Sequence, residues 1–500
     1  MWTRRLFLAL ALLYAVPFWT VHYLPTVDGP CHTYNSWILR QYHNTDRFPL
    51  FQQYYEINAL PYPNWIGHGF MALLMFVAPP LVAEKLLATT YALTFLLGMW
   101  YLAGAVDPDR RWLAFLAFPF VYNFMFQFGF YNFSMSLALF PWILGAWWRH
   151  RERPGPGFAV GINLLLWLCW LSHPVSFALA LLGIAVLWLA TLRPAGWRRH
   201  FVHIPILAPQ GFLPLWYFAA VGSERVGDFW GFRRLWRYFT HLGALAPLDR
   251  AQTGLAQGLA WAFLLLLLLT LWRRTAERRG PSPAEGDAFL LLAGVATLIY
   301  FLGPEGMSGG TMLKNRLSLY PYLLLIPWLS PRLGAWGRRA AVGVLSLAAL
   351  CGLFLVLRAY RAQTAVMEQY LAGLASVRPD SRVLPLFFAR DGRGAQMDML
   401  GHALSYAALE KGLVDWDNYE ATVSFFPVGF RESAPPPDTA RLETAPRSLR
   451  LKEWKRLADY VYVWGLPPGD PFAARLQKAS FRPVAEAGAG VLWERRRRDG

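Results

Sequence analysis

"NWIGHGFMALLMFVAPP", residues 64–80, is the stretch on which the fold turns. It is apolar enough to suggest a membrane helix, yet it keeps that character for only about 14 residues before Pro79-Pro80, and a span needs about 20. Its length suits a re-entrant or interfacial segment better. Whether it crosses decides on which side every later loop falls.

Around it the chain reads as a polytopic membrane protein. Hydrophobic residues make up 55% and charged residues only 16% of the 500, against roughly 25% charged in soluble domains. Runs such as "LAWAFLLLLLLTLW" (259–272) carry that excess. Eleven further segments qualify as spans: 5–24, 86–106, 112–127, 131–148, 157–172, 174–192, 202–220, 255–272, 287–303, 316–331 and 340–357. The first has a basic start but no small-x-small cleavage site, so it is read as an uncleaved helix.

Charge decides the parity. If 64–80 stays on one side and Arg4-Arg5 begin in the cytoplasm, the inner loops 1–5, 107–111, 149–156, 193–201, 273–286 and 331–339 hold 17 arginines. The outer loops hold 10 Lys and Arg in more than twice the length. Crossing at 64–80 would invert this, against the positive-inside rule. The expected architecture is therefore a polytopic all-α membrane domain of about 11 transmembrane helices over 1–361, with a periplasmic first loop at 25–85. A small α/β domain over 362–500 follows on the same outer side, which places the protein in a bacterial inner membrane. In that tail "SRVLPLFFARDG" and "LADYVYVWGLPPGD" read as short buried strands ended by turns. "MDMLGHALSYAALEKGLVD" has helical spacing, "RESAPPPDTARLETAPRS" is a Pro-rich loop, and "ERRRRDG" closes the chain.

The formal charge of +17 is scattered over short loops between apolar segments, which disfavours nucleic acid as a partner. Cys31, Cys169 and Cys351 imply no disulfide framework. No phosphate loop, dinucleotide fingerprint or zinc-ligand spacing stands out, so no metal ligands and no cofactor are assigned.

The candidate site lies on the outer face. "LPTVDGPCHTYNSW" (24–37) sets Asp28 and His32 directly after the first span. Asn132 follows in "FQFGFYNFS" and His173 in "WLSHPVSF"; Arg233 and Arg234 lie in the loop before the eighth span, and Lys314 and Arg316 at the tenth. Ionisable groups beside hydrocarbon are costly and are kept mostly where they line a watery cavity or do chemistry. A carboxylate can accept a hydroxyl proton as general base, while Arg or Lys stabilises a departing phosphate. Each residue also has a plainer reading. Asp28 could cap the helix that "TYNSW" begins, and His173 could be a polar turn residue before Pro174. Lys314 and Arg316 could anchor a helix end, and the basic loop 225–237 could be an interfacial amphipathic segment, with Arg233 and Arg237 on lipid headgroups.

This arrangement resembles the GT-C superfamily of membrane glycosyltransferases, such as the protein O-mannosyltransferase and aminoarabinose transferase-like proteins. "PTVDGPCHTYNSWILRQY" is similar to the family's first periplasmic loop, whose essential aspartate falls at Asp28. "FYNFSMSLALFPWIL", "RLSLYPYLLLIPWL" and "LADYVYVWG…VLWERR" resemble segments of uncharacterised bacterial relatives. The resemblance implies a sugar on a polyprenyl phosphate as donor, with a glycan, lipid or protein as acceptor. It also implies a second acidic residue between the third and fourth spans, where this chain has Asn132, which puts a bound divalent metal in doubt. That difference motivates an alternative: a non-catalytic GT-C-like protein that binds lipid-linked glycan or scaffolds envelope polysaccharide assembly. A transporter is disfavoured, because charges inside the spans are almost absent.

Overall fold

The computed structural model describes residues 2–192, 201–221, 225–226, 230–277, 286–307, 310–389, 397–434 and 439–496. Outside them lie most of the inner loops 193–201 and 273–286, the Arg225 side chain, the end of "SRVLPLFFARDG", part of the Pro-rich loop and the last basic residues. Three described helices are long and apolar enough to cross a membrane: Pro80–Val106, Ala251–Ala276 and Ala335–Ala372. Pro156–Ser172, Pro174–Ala190 and Asp287–Leu302 are shorter apolar helices. Along Ala251–Ala276, Trp261, Leu264, Leu265 and Leu268 are exposed on one stripe, the surface expected of a helix that faces lipid.

Several expected spans are not single α-helices, and each of those holds at least one proline. It removes a backbone donor and clashes with the preceding turn, which a count of apolar residues does not register. Residues 112–127 form a 3₁₀ helix, Pro108–Phe120, and then the short helix Phe124–Gln127. Asp107 starts it by accepting from the Asp109 amide at 2.9 Å. The 3₁₀ rise of about 2.0 Å per residue stretches this piece to roughly 26 Å. Residues 202–220 divide into His203–Leu207, Ala208–Gly211 and Phe212–Val221, with prolines at 205, 209 and 214. Residues 316–331 fall into Leu313–Leu317 and Tyr320–Trp328, and 5–24 into Trp2–Leu13 and Val16–Trp19. The stretch 64–80 contains a nine-residue helix, Ile66–Leu74; at 1.5 Å per residue it is about 14 Å long, too short to cross.

The described chain divides into two compact units. The first comprises Met1–Pro17, Thr89–Phe126 and Asn132–Leu357. Its interior is packed with aromatics, among them Phe7, Phe118, Trp147 and Tyr320. The second joins the first loop, Phe18–Ala88, to Gln127–Tyr131 and to the tail, Arg358–Gly500.

The second unit is built on a five-stranded sheet in the order Val414–Asp415, Arg382–Phe387, Tyr460–Trp464, Gly490–Arg495, Phe481–Ala487. The first three strands are parallel and the last two antiparallel. Both stretches read as strands are strands, and they are neighbours, with Val383 opposite Tyr460. "YVYVW" is buried at all five positions, as suits a central strand covered on both faces. The expected helix is Leu404–Lys411, closed by Gly412 in the left-handed conformation. Tyr55–Ile57 of the first loop pairs with Val428–Phe430 of the tail, Tyr55 opposite Phe430. Tyr34, Ile38, Phe48, Phe51 and Tyr55 enter the same core as the sheet residues Val461 and Val463. This shared core brings first-loop and tail side chains to one place.

Candidate active site

Asp28 opens the helix Gly29–Gln41, with Pro30 in its first turn. Its side chain makes no capping bond, so the plainer reading of Asp28 does not account for its carboxylate. That group is 2% exposed. Oδ2 accepts from the Tyr419 hydroxyl at 2.7 Å, and Oδ1 lies 3.5 Å from His402 Nε2. His402 presents Nδ1 to Asp417 Oδ2 at 3.2 Å, so its ring stands between two carboxylates. Burial, reinforced by the Asp28 and Glu420 carboxylates, raises the Tyr419 hydroxyl well above its usual range. It therefore stays protonated and donates.

The Asp28 backbone is held from behind. Its amide donates to the Phe128 carbonyl at 2.9 Å, and Gly129 lies so close that a β-carbon there would stand 2.4 Å from the Gly29 nitrogen. Beside it Thr26 Oγ1 and Tyr131 share a hydrogen bond of 3.0 Å. Tyr131 also donates to Glu84 Oε1 at 2.7 Å, as does Tyr406 at 2.8 Å.

One turn along the same helix, His32 and Asn35 face the tail. Asn35 and Asn418 exchange amide hydrogen bonds of 2.7 and 3.1 Å, and Asn35 Nδ2 also donates to Glu420 Oε2 at 2.8 Å. Glu420 is completely buried, with His32 Nδ1 2.8 Å from Oε1 and His68 Nε2 2.8 Å from Oε2. The two imidazole nitrogens are 3.1 Å apart. Burial alone would raise the Glu420 carboxyl, but the two imidazoles overcome it and hold the group below its usual range. Burial lowers His32, with Glu420 opposing.

Asp415 supports this cluster from the sheet edge, accepting from the Ser405 hydroxyl at 2.7 Å and the Asp417 amide at 2.9 Å. Burial raises it to about 6, against the pull of those two donors. The folded value lies above the unfolded one of about 3.9, so its stabilising contribution is complete below about pH 4 and lost as pH rises through 6. The ionised form then costs about 3 kcal/mol. Asp415→Asn removes this dependence. In thermal unfolding of detergent-solubilised protein between pH 4.5 and 8, the Tm of the variant minus that of the wild type should rise with pH. A difference that is flat or falls with pH contradicts the assignment.

The other sequence-assigned residues lie in the first unit. Lys314 is buried and donates to the carbonyls of Tyr300 at 2.5 Å and Phe301 at 3.3 Å, the last turn of Asp287–Leu302, as cations do at helix C-termini. Arg316 donates to the Thr311 carbonyl at 2.5 Å and stands 5.6 Å over the Phe133 ring. His173 packs edge-on against that ring at 5.3 Å and accepts from the Val175 amide at 3.2 Å, capping Pro174–Ala190. This is the turn role its sequence position suggests. Asn132 is buried in the first turn of Tyr131–His150. Arg233 and Arg234 are exposed, and Arg234 stacks 3.7 Å over Trp230. Arg110, Arg273 and Arg274 line a separate cavity of this unit, but each is paired with a carboxylate, from Asp107, Glu277 and Asp287.

His68, His402, Asp417, Tyr419 and Glu420 were not singled out from the sequence. One signal was available. "VDWDNYE" (414–420) packs three carboxylates into seven residues of a chain with only 31 acidic residues in 500.

No protein-family model matches the chain, and no curated protein does either. Solved structures do. The chain is similar to ArnT from Cupriavidus metallidurans bound to undecaprenyl phosphate, with a TM-score of 0.54 at 15% identity over 98% of this chain and 97% of that one. The same enzyme in its apo state gives 0.51 at 12% identity, with the same coverage. Arabinofuranosyltransferase AftD from Mycobacteria gives 0.48 at 16% identity; 98% of this chain spans only 41% of that one. The chain thus shares the fold of ArnT. Two apposed clusters, Asp28–His402–Asp417 and His32–His68–Glu420, mark its candidate site.

Proposed function

We propose that the protein is a glycosyltransferase that moves a sugar from a polyprenyl-phosphate donor to an acceptor on the periplasmic side of the inner membrane. Asp28 takes the proton of the acceptor hydroxyl. The observation that carries this reading is its buried carboxylate, turned away from its own helix toward Tyr419 and His402. The aspartate falls where the GT-C resemblance expects one, and ArnT of that fold was solved with a lipid phosphate. A buried carboxylate is a stronger base than a solvated one, and the imidazole between Asp28 and Asp417 offers the abstracted proton a route away. Arg316, Lys314, Arg233 and Arg234 remain the proposed donor-phosphate residues, with His32, Asn132 and His173 near substrate. Their charge and polarity support that reading.

The direct test is transfer of a labelled sugar from a lipid-linked donor by purified Asp28→Asn protein. Tyr419→Phe supplies an independent check. Tyr419 donates to the Asp28 carboxylate, and loss of that donor disfavours the charged form. The acid limb of the pH–rate profile should move to higher pH; an unmoved limb removes Asp28 from the proton transfer.

The second reading is a non-catalytic protein that binds lipid-linked glycan or scaffolds envelope polysaccharide assembly. It is favoured by Asn132, an amide at the position where the resemblance expects a carboxylate. Under it Asp28→Ala leaves the cellular phenotype intact, whereas disruption of the 221–250 loop abolishes it.

A further inference from the structure

The hydrogen-bond pattern around His68 is not satisfied by protons on neutral rings. Its Nδ1 lies 2.9 Å from the Asn64 carbonyl oxygen, which can only accept, so Nδ1 carries a proton. In the neutral ring Nε2 is then a bare lone pair, yet it faces Glu420 Oε2 at 2.8 Å. That oxygen already accepts from Asn35. His32 brings Nδ1 into the same space, 2.8 Å from Glu420 Oε1 and 3.1 Å from His68 Nε2, while its Nε2 is buried without a hydrogen-bond partner. The His32 ring is held by the cluster, by stacking on Tyr131 at 5.4 Å and by the Phe426 ring at 6.1 Å. The His68 lone pair, His32 Nδ1 and the Glu420 carboxylate thus converge in a buried space, an arrangement that a proton on the His68 ring or a bound cation resolves.

We propose that His32, His68 and Glu420 bind a zinc ion that ties the first loop to the tail. The donor atoms lie within 4.8 Å of one another. A tetrahedral ion about 2.0–2.1 Å from each would hold them about 3.3 Å apart; the two nitrogens, at 3.1 Å, need open by only a few tenths of an ångström, and each already lies 2.8 Å from one of the two Glu420 oxygens. Two imidazoles and one carboxylate suit zinc and not magnesium, which prefers an all-oxygen shell. The supporting contacts are those expected around such an ion. The Asn64 carbonyl fixes the His68 tautomer, and the Asn35 amide orients the Glu420 carboxylate. His32 and His68 come from first-loop helices and Glu420 from the tail, so the ion would fasten segments about 350 residues apart in sequence and limit the freedom of the open chain. This inference does not depend on the transferase reading.

The test uses tag-free, full-length protein purified in detergent without chelator. Elemental analysis should find about one zinc per chain, and X-ray absorption should show nitrogen and oxygen neighbours near 2.0 Å. A chelator should lower the Tm, and zinc, not magnesium, should restore it. His68→Gln and Glu420→Gln should each lower zinc content at least tenfold, while Asp28→Asn retains it. Wild-type protein that holds less than a tenth of an equivalent after zinc loading, with an unchanged Tm, overturns the proposal. So does equal zinc content in wild type and both ligand variants, or selective retention of magnesium. Because the wild-type measurement decides by itself, misfolding of a variant does not shelter the idea.

Discussion

Purified Asp28→Asn protein is expected to transfer a labelled sugar from a lipid-linked donor 10²- to 10⁴-fold more slowly than wild type, roughly the contribution of one general base. The substitution is close to isosteric. Its amide oxygen can still accept from Tyr419, whose hydroxyl stands 2.7 Å from Oδ2, so the helix Gly29–Gln41 and its packing should persist. What is lost is the capacity to take a proton. The Tm should therefore stay within a few degrees of wild type, and the donor KM should change little while kcat falls, as for an interaction made only in the transition state. Full transfer by the variant excludes Asp28 as the base. A collapse of Tm together with activity would assign Asp28 a structural role instead.

Gly129→Ala should be nearly as damaging, although the residue bears no functional group. Gly129 has a φ of +93°, a conformation that costs an L-residue about 1–2 kcal/mol. An added β-carbon would also stand 2.4 Å from the Gly29 nitrogen and 2.7 Å from the Asp28 nitrogen. These are backbone atoms, which cannot rotate aside as a side-chain end can, so the overpacking adds about 1–3 kcal/mol. The expected result is a loss of about 2–5 kcal/mol of stability and displacement of Asp28 from Tyr419. Activity should fall nearly as far as in Asp28→Asn. Gly161→Ala, where a β-carbon would meet nothing within 4 Å, is the control and should be close to silent. Wild-type Tm and turnover in Gly129→Ala would mean that the Phe128–Gly129 turn does not position Asp28.

The long apolar helices, the shortness of the helix within 64–80 and the two tail strands were all legible in the chain. The reason is the same for each: local composition and period express burial directly. Hydropathy was a poorer guide to helix continuity, because prolines such as Pro119, Pro321 and Pro327 count as apolar while they interrupt the backbone ladder.

What sequence alone determined about this protein is therefore the material of the fold and one end of the site. Asp28 and His32 lie a single turn apart on one helix, a distance at which chain order still predicts proximity. Tertiary structure decided the other end. His68 stands 36 positions from His32, and Glu420 stands 352 from His68. No spacing rule links them. They meet because Tyr55–Ile57 pairs with Val428–Phe430 and the first loop buries Tyr34, Phe48 and Phe51 in the core of the tail. A side chain's chemistry is written at its own position, but its partners are chosen by the packing of surfaces far apart along the chain.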